Sequence, residues 1–133
     1  MMSNRILVAD DEPSVLKVVK YYAEKNGYRV DTASDGESAL RLFQDATPDL
    51  VVLDIMMPGL NGFEVCEAIR EVDIRVPVIF LTAKGDLVDK GMGFKLGADD
   101  YVTKPFEPEE LIMRIGTCLR RRDAFPVERK NPG

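Results

Sequence analysis

The feature that most constrains this chain is its regular exchange between two hydrophobic periods. Five short runs suit strands: RILVA (5–9), YRVDTA (28–33), DLVVLD (49–54), VPVIFLT (76–82) and DYVTK (100–104). Three of them are nearly continuous aliphatic runs, as expected of parallel strands covered on both faces. Between the strands, apolar residues recur at helical spacing. The first helical pattern carries Val15, Val18, Val19 and Tyr22, with Pro13 suited to an early helical position and Gly27 to the C-terminal stop. Ala39, Leu40 and Phe43 mark the second, and Val65, Cys66 and Ile69 the third. The fourth runs from Leu87 to Leu96 and is weakened by Gly91 and Gly93, each costing about 1 kcal/mol relative to alanine. Leu111, Ile112, Ile115 and Leu119 mark the fifth. Strands and helices alternating in this way predict right-handed crossovers and an α/β, doubly wound, five-stranded parallel sheet with five helices.

A chain of 133 residues is long enough for one domain with a proper core and too short for two. The pattern places that domain at residues 4–122, and DAFPVERKNPG (123–133) lacks any period and reads as a linker or frayed tail. The net charge of -5, from 18 basic and 23 acidic side chains, gives no general attraction to a nucleic-acid backbone. Every apolar run is strand-length, so no membrane span is expected. The N-terminal MMSNR has no apolar signal core, and the expected compartment is the cytoplasm. Cys66 and Cys118 lie on apolar helix faces without metal-ligand spacing and suit reduced, buried thiols. The absence of histidine excludes a histidine-dependent triad or a histidine-ligated zinc site within the chain.

In an open α/β sheet, ligands bind beyond the carboxyl ends of the strands. The first strand closes on Asp10-Asp11 and the third on Asp54; the fourth closes on Thr82 and the fifth on Lys104, followed by Pro105. The second ends at Ala33-Ser34 without a charge, as suits a peripheral strand. Each residue has a plainer reading. Asp11 or Glu12 alone suits a helix N-cap, Asp54 the start of the polar loop MMPGLNG, and Thr82 the β-branched end of a strand. Lys104 alone suits a solvated side chain, and Met56 and Met57 loop packing. The functional reading rests on the constellation. Like charges crowded together disfavour each other's ionisation, and a hard divalent cation wants several carboxylate oxygens.

The acid pair after the first strand, LDIMMPGLNGFE around Asp54, LTAK at the end of the fourth strand and GADDYVTKPF around Lys104 resemble the receiver domain of two-component response regulators. The resemblance covers Arg5 to Arg122 and implies a flavodoxin-like strand order of 2-1-3-4-5. It implies that Asp54 is the phosphoacceptor, a carboxylate nucleophile that forms an aspartyl-phosphate. Asp10, Asp11, Asp54 and the backbone carbonyl of Met56 would hold Mg²⁺. The Thr82 hydroxyl would bond a phosphoryl oxygen, Lys104 would pair with the phosphate, and Tyr101 would be the aromatic switch that turns inward with Thr82. The Lys104-Pro105 bond is cis in the family. Phosphoryl transfer asks a protein mainly to position groups and neutralise charge, so metal loss should abolish phosphorylation and leave the fold largely intact. The donor would be a phosphohistidine on a separate sensor histidine kinase.

GADDYVTKPFEPEELIMRIGTCLRRR resembles the OmpR/PhoB class, whose receivers dimerise through the fourth helix, fifth strand and fifth helix. Lys90 with Glu110 and Asp100 with Arg114 match two charged pairs that cross the two-fold axis. Phe94 and Ile112 match the apolar patch between them. The positions of a third pair hold Lys95 and Gly116, so that pair is absent. Exposed pairs contribute only about 0–1 kcal/mol each, and the plainer reading is that these charges simply solvate the face. Members of the class carry a winged-helix DNA-binding domain after the linker, so this chain is expected to be truncated and to meet DNA only through that domain. A stand-alone receiver acting through a protein partner is the other possibility.

A haloacid-dehalogenase-type phosphatase needs a second aspartate two residues after the nucleophile, where this chain has Met56. Rossmann and P-loop readings fail because the first strand leads into acids instead of a glycine-rich cradle. A receiver-like interaction module that is never phosphorylated is the remaining alternative.

Overall fold

The computed structural model describes residues 3–83 and 97–124. Five strands, β1 (Arg5–Ala9), β2 (Arg29–Ala33), β3 (Leu50–Asp54), β4 (Val78–Ala83) and β5 (Asp100–Lys104), form one parallel sheet. Their order is β2-β1-β3-β4-β5, the order the resemblance implies. Four helices are described: α1 (Pro13–Lys25), α2 (Gly36–Ala46), α3 (Gly62–Val72) and α4 (Pro108–Ala124). The fourth helical pattern, Leu87 to Leu96, lies outside the described residues, so α4 here is the fifth pattern of the sequence. Among the described residues, no helix is long and apolar enough to cross a membrane.

The period-2 geometry of a strand divides the core between the two sheet faces. Leu7, Val51, Leu53 and Phe80 join Phe43 of α2 and Val65 and Ile69 of α3 on one face. Ile6, Val8, Val52, Ile79 and Leu81 join Val19 and Ala23 of α1 and Leu111 and Ile115 of α4 on the other. β3 is buried along its whole length, which is why its sequence shows no alternation. Complete burial of each such aliphatic side chain contributes about 1.5–3 kcal/mol before the entropy of ordering it is counted. Cys66 and Cys118 are free and buried.

Local sequence sets the helix starts. Asp35 caps α2, its Oδ1 accepting the Ser38 N–H at 2.8 Å. Asn61 and Glu64 cap α3 reciprocally, each side chain accepting the other's backbone N–H at 2.9 Å. Glu12 occupies the N-cap position of α1, but its side chain makes no capping bond. Asp10 Oδ1 instead accepts the Glu12 N–H at 2.9 Å. Gly62 lets α3 begin hard against the end of β3: a Cβ there would collide with the Asp54 carbonyl oxygen and sit 2.8 Å from the Cα of Ile55. That close approach fixes the backbone directly behind the Asp54 side chain.

Candidate functional site

The sheet order brings the ends of β1, β3, β4 and β5 together along one edge, with β2 peripheral. Asp54 closes β3, and Lys104 closes β5 opposite Ala83 of β4. Asp10, Asp54 and Thr82 are the buried polar or charged side chains among the described residues, at 0%, 5% and 2% exposure. Asp11, by contrast, is exposed. Carboxylate oxygens of Asp10, Asp11 and Asp54 nevertheless lie within 4.8 Å of one another.

One ammonium serves three acids. Lys104 Nζ is 2.8 Å from Glu12 Oε1, 2.9 Å from Asp10 Oδ2 and 3.6 Å from Asp54 Oδ2. Asp10 Oδ2 is buried and accepts no aligned hydrogen bond. The Lys104 charge is close to it but off the hydrogen-bond direction, so the oxygen is charge-balanced with acceptor capacity to spare. Asp54 Oδ1 accepts the Met56 N–H at 3.3 Å.

Burial pushes the Asp54 carboxyl up, and the neighbouring Asp10 charge pushes it further. Lys104 and the Met56 N–H pull it back, leaving it raised to about 7. Lys104 shows the opposite balance. Burial opposes its charge, but the hydrogen bond to Glu12 and the contacts with Asp10 and Asp54 outweigh it, and its pKa moves upward.

Asp11, Glu12, Asp54, Met56, Ala83 and Lys104 line a cleft of about 320 Å³ at this edge. Three clustered carboxylates, a buried carboxylate oxygen with acceptor capacity to spare and a surplus of negative charge suit a hard divalent cation with oxygen ligands. The donor set therefore fits Mg²⁺, with Asp10, Asp11 and Asp54 as its carboxylate ligands.

Thr82 is buried and does not itself line that cleft; Ala83, the next residue, does. Thr82 shares a sheet face with Phe80, and Phe80 stands opposite Tyr101 in the register. The Tyr101 ring is buried, with its centroid 5.6 Å from that of Phe80. The Lys104-Pro105 bond is cis.

Of the residues read as a dimer face, Lys90 and Phe94 lie outside the described residues. Asp100, Glu110 and Arg114 are drawn together within the chain. Arg114 Nη1 is 2.9 Å from Asp100 Oδ2, and its Nε is 3.2 Å from Glu110 Oε2. Ile112 packs partly against the core.

Glu12 is the site residue that the sequence reading missed as a functional side chain. Its place directly after the acid pair was the available signal, but the cap reading absorbed it.

An α/β fold of order 2-1-3-4-5 carrying an acid cluster and a lysine at the strand ends is the architecture of a response regulator receiver domain. A model of the response regulator receiver domain matches residues 6–116, and the chain belongs to that family. The chain is 48% identical over 122 residues to the alkaline phosphatase synthesis transcriptional regulatory protein PhoP of Bacillus subtilis, covering 92% of this chain and 51% of that protein. It is 45% identical over 127 residues to the DNA-binding response regulator MtrA of Mycolicibacterium smegmatis, covering 96% and 55%. These relatives agree with the resemblance to the OmpR/PhoB class, and the chain spans about half their length. Among solved structures, a response regulator receiver domain from Clostridium thermocellum superposes with a TM-score of 0.86 at 33% identity, covering 91% of this chain and 98% of that one. The receiver domain of Francisella response regulator 1452 gives 0.83 at 39% identity, covering 90% and 98%.

Proposed function

We propose that this receiver domain takes a phosphoryl group onto Asp54 from the phosphohistidine of a sensor histidine kinase, and that the modification switches self-association to control transcription. The observation that carries the reading is the position of Asp54, nearly buried at the floor of an acid cluster with Lys104 Nζ 3.6 Å from its carboxylate.

Asp54 is the nucleophile. A carboxylate oxygen forms the O–P bond as the P–N bond of the donor breaks, and the imidazole nitrogen leaves with the bonding pair. The raised carboxyl pKa means that the site must supply positive charge for Asp54 to attack as an anion. Lys104 supplies part of it, and pairs with a phosphoryl oxygen once the group has arrived. The Met56 N–H holds the other oxygen of Asp54 and so fixes which oxygen faces the cleft. Asp10, Asp11, Asp54 and the Met56 carbonyl would hold Mg²⁺, which would supply the remaining charge neutralisation. Thr82 lies one residue from the cleft, so the switch reading requires a strand-end shift that brings its hydroxyl to a phosphoryl oxygen. The inward Tyr101 ring is the arrangement that the switch reading assigns to the signalling state.

The output face is proposed to comprise Lys90, Phe94, Asp100, Glu110, Ile112 and Arg114. The tail read as a linker from residue 123, whose first two residues complete α4, would lead to an effector domain that contacts DNA, a reading supported by the greater length of the relatives.

Incubation with acetyl phosphate and Mg²⁺, followed by mass spectrometry, tests the central step. One phosphoryl adduct should map to Asp54 and be lost in Asp54→Asn and with chelator. A wild-type chain that gains no adduct would instead be the interaction module that is never phosphorylated.

A further inference from the structure

Glu12 stands in the N-cap position of α1, where an acid could satisfy the free N–H groups of the first turn. It does not do so. Asp10 takes the capping-side contact by accepting the Glu12 N–H, and the Glu12 carboxylate turns to Lys104 at 2.8 Å. The ammonium is thereby held closer to Glu12 and Asp10 than to Asp54, which lies at 3.6 Å. The Glu12 side chain is 57% exposed, whereas that of Lys104 is only 19% exposed. The contact thus joins a solvated, movable acid to a largely enclosed base. Glu12 also lines both the acidic cleft and the adjoining 440 Å³ groove formed with Ser14, Val18 and Phe106.

We infer that Glu12 is a positioning residue that acts through Lys104, holding its ammonium away from the phosphoryl position and competing with the bound phosphoryl group for it. The inference rests on the reading of Asp54 as phosphoacceptor and adds a determinant of how tightly the phosphoryl group is held. A phosphoryl group on Asp54 needs the Lys104 charge, and each contact that Lys104 makes with Glu12 is one it withholds. Asp10 cannot play this part alone, because it is fully buried and also belongs to the proposed metal ligands. Glu12 is the exposed member of the trio and is free to let go.

The test measures beryllofluoride affinity at saturating Mg²⁺ by calorimetry, with the rate of Asp54 labelling by acetyl phosphate as a second readout. Glu12→Gln keeps the size of the side chain and removes its charge. It should tighten beryllofluoride binding by roughly two- to five-fold, the range expected when an exposed competing ion pair is removed. The gain should disappear in the Lys104→Met background, because Glu12 acts only through that ammonium. An equal gain with and without Lys104 would assign the effect to the general negative field and overturn the inference. So would an unchanged or weakened affinity in Glu12→Gln while the wild type binds normally. A wild type that binds no beryllofluoride would overturn the phosphoacceptor reading itself, and this inference with it.

Discussion

The surroundings of Asp54 disfavour its ionised form. The carboxyl is raised from 3.8 to about 7 by burial first and by Asp10 second. Between those two values the folded chain holds a proton that the unfolded chain has released, so stability falls as pH rises through that window and levels off above it. In chelator, Asp54→Asn should therefore be more stable than the wild type at pH 8. The expected gap is up to about 4 kcal/mol, since each of the roughly three pH units between unfolded and folded pKa is worth about 1.4 kcal/mol. The gap should close towards pH 4. Urea unfolding of both proteins across pH checks this, and a gap independent of pH would refute it. Mg²⁺ should stabilise the wild type more than Asp54→Asn, because a ligand stabilises the form that binds it.

At the scale of elements, Arg70 ties the residues that enter β5 to α3 and to the approach to β4. Arg70, near the end of α3, donates to the carbonyls of Asp73 at 3.2 Å, Val76 at 2.7 Å and Gly97 at 2.6 Å. It also lies 3.5 Å from Asp99 Oδ2, an oxygen that accepts the Val78 N–H at 2.9 Å. The fork thus ties α3, the start of β4 and the loop entering β5, the strand that carries Tyr101 and Lys104. Its side chain is 15% exposed, so truncation would strand several carbonyls. Arg70→Met should cost about 2–4 kcal/mol, given about 1–3 kcal/mol for each buried polar group left unsatisfied. Arg70→Lys should recover only part of this, because an ammonium cannot reproduce the planar fork. Denaturant midpoints decide the matter; a neutral Arg70→Met would show that the loop holds itself.

For the whole molecule, the question is what phosphorylation changes. Asp100 and Glu110 already have a partner in Arg114 within the chain. A dimer that redirects these charges across a two-fold axis exchanges pairs instead of adding them, and exposed pairs contribute only about 0–1 kcal/mol each. A shift from about 1:99 to 99:1 needs roughly 5.5 kcal/mol of differential stabilisation. On the proposed switch, apolar contact and a rearrangement of Thr82 and Tyr101 would have to supply most of it. Sedimentation with beryllofluoride and Mg²⁺ should show a stronger self-association than without them. An unchanged association constant would remove this face as the output.

The sequence by itself determined the five strands and the four described helices, because their periods of 2 and 3.6 residues are local properties of the chain. β1 and β5 carry the bounds the pattern predicts; β2 starts one residue later, and β4 is shifted to end at Ala83. The strand-end acids were legible for the same reason, since each closes a run visible in a few residues. Tertiary structure alone decided the partners of the long charged side chains. Glu12 and Lys104 are 92 residues apart and meet only because β1 and β5 point the same way in one sheet. The contacts of Arg70 with Gly97 and of Arg114 with Asp100 have the same origin, whereas Arg114 with Glu110 is a local i,i+4 helix pair. A flexible charged side chain reaches whatever sheet order and register bring within a few ångströms, and no local period encodes that.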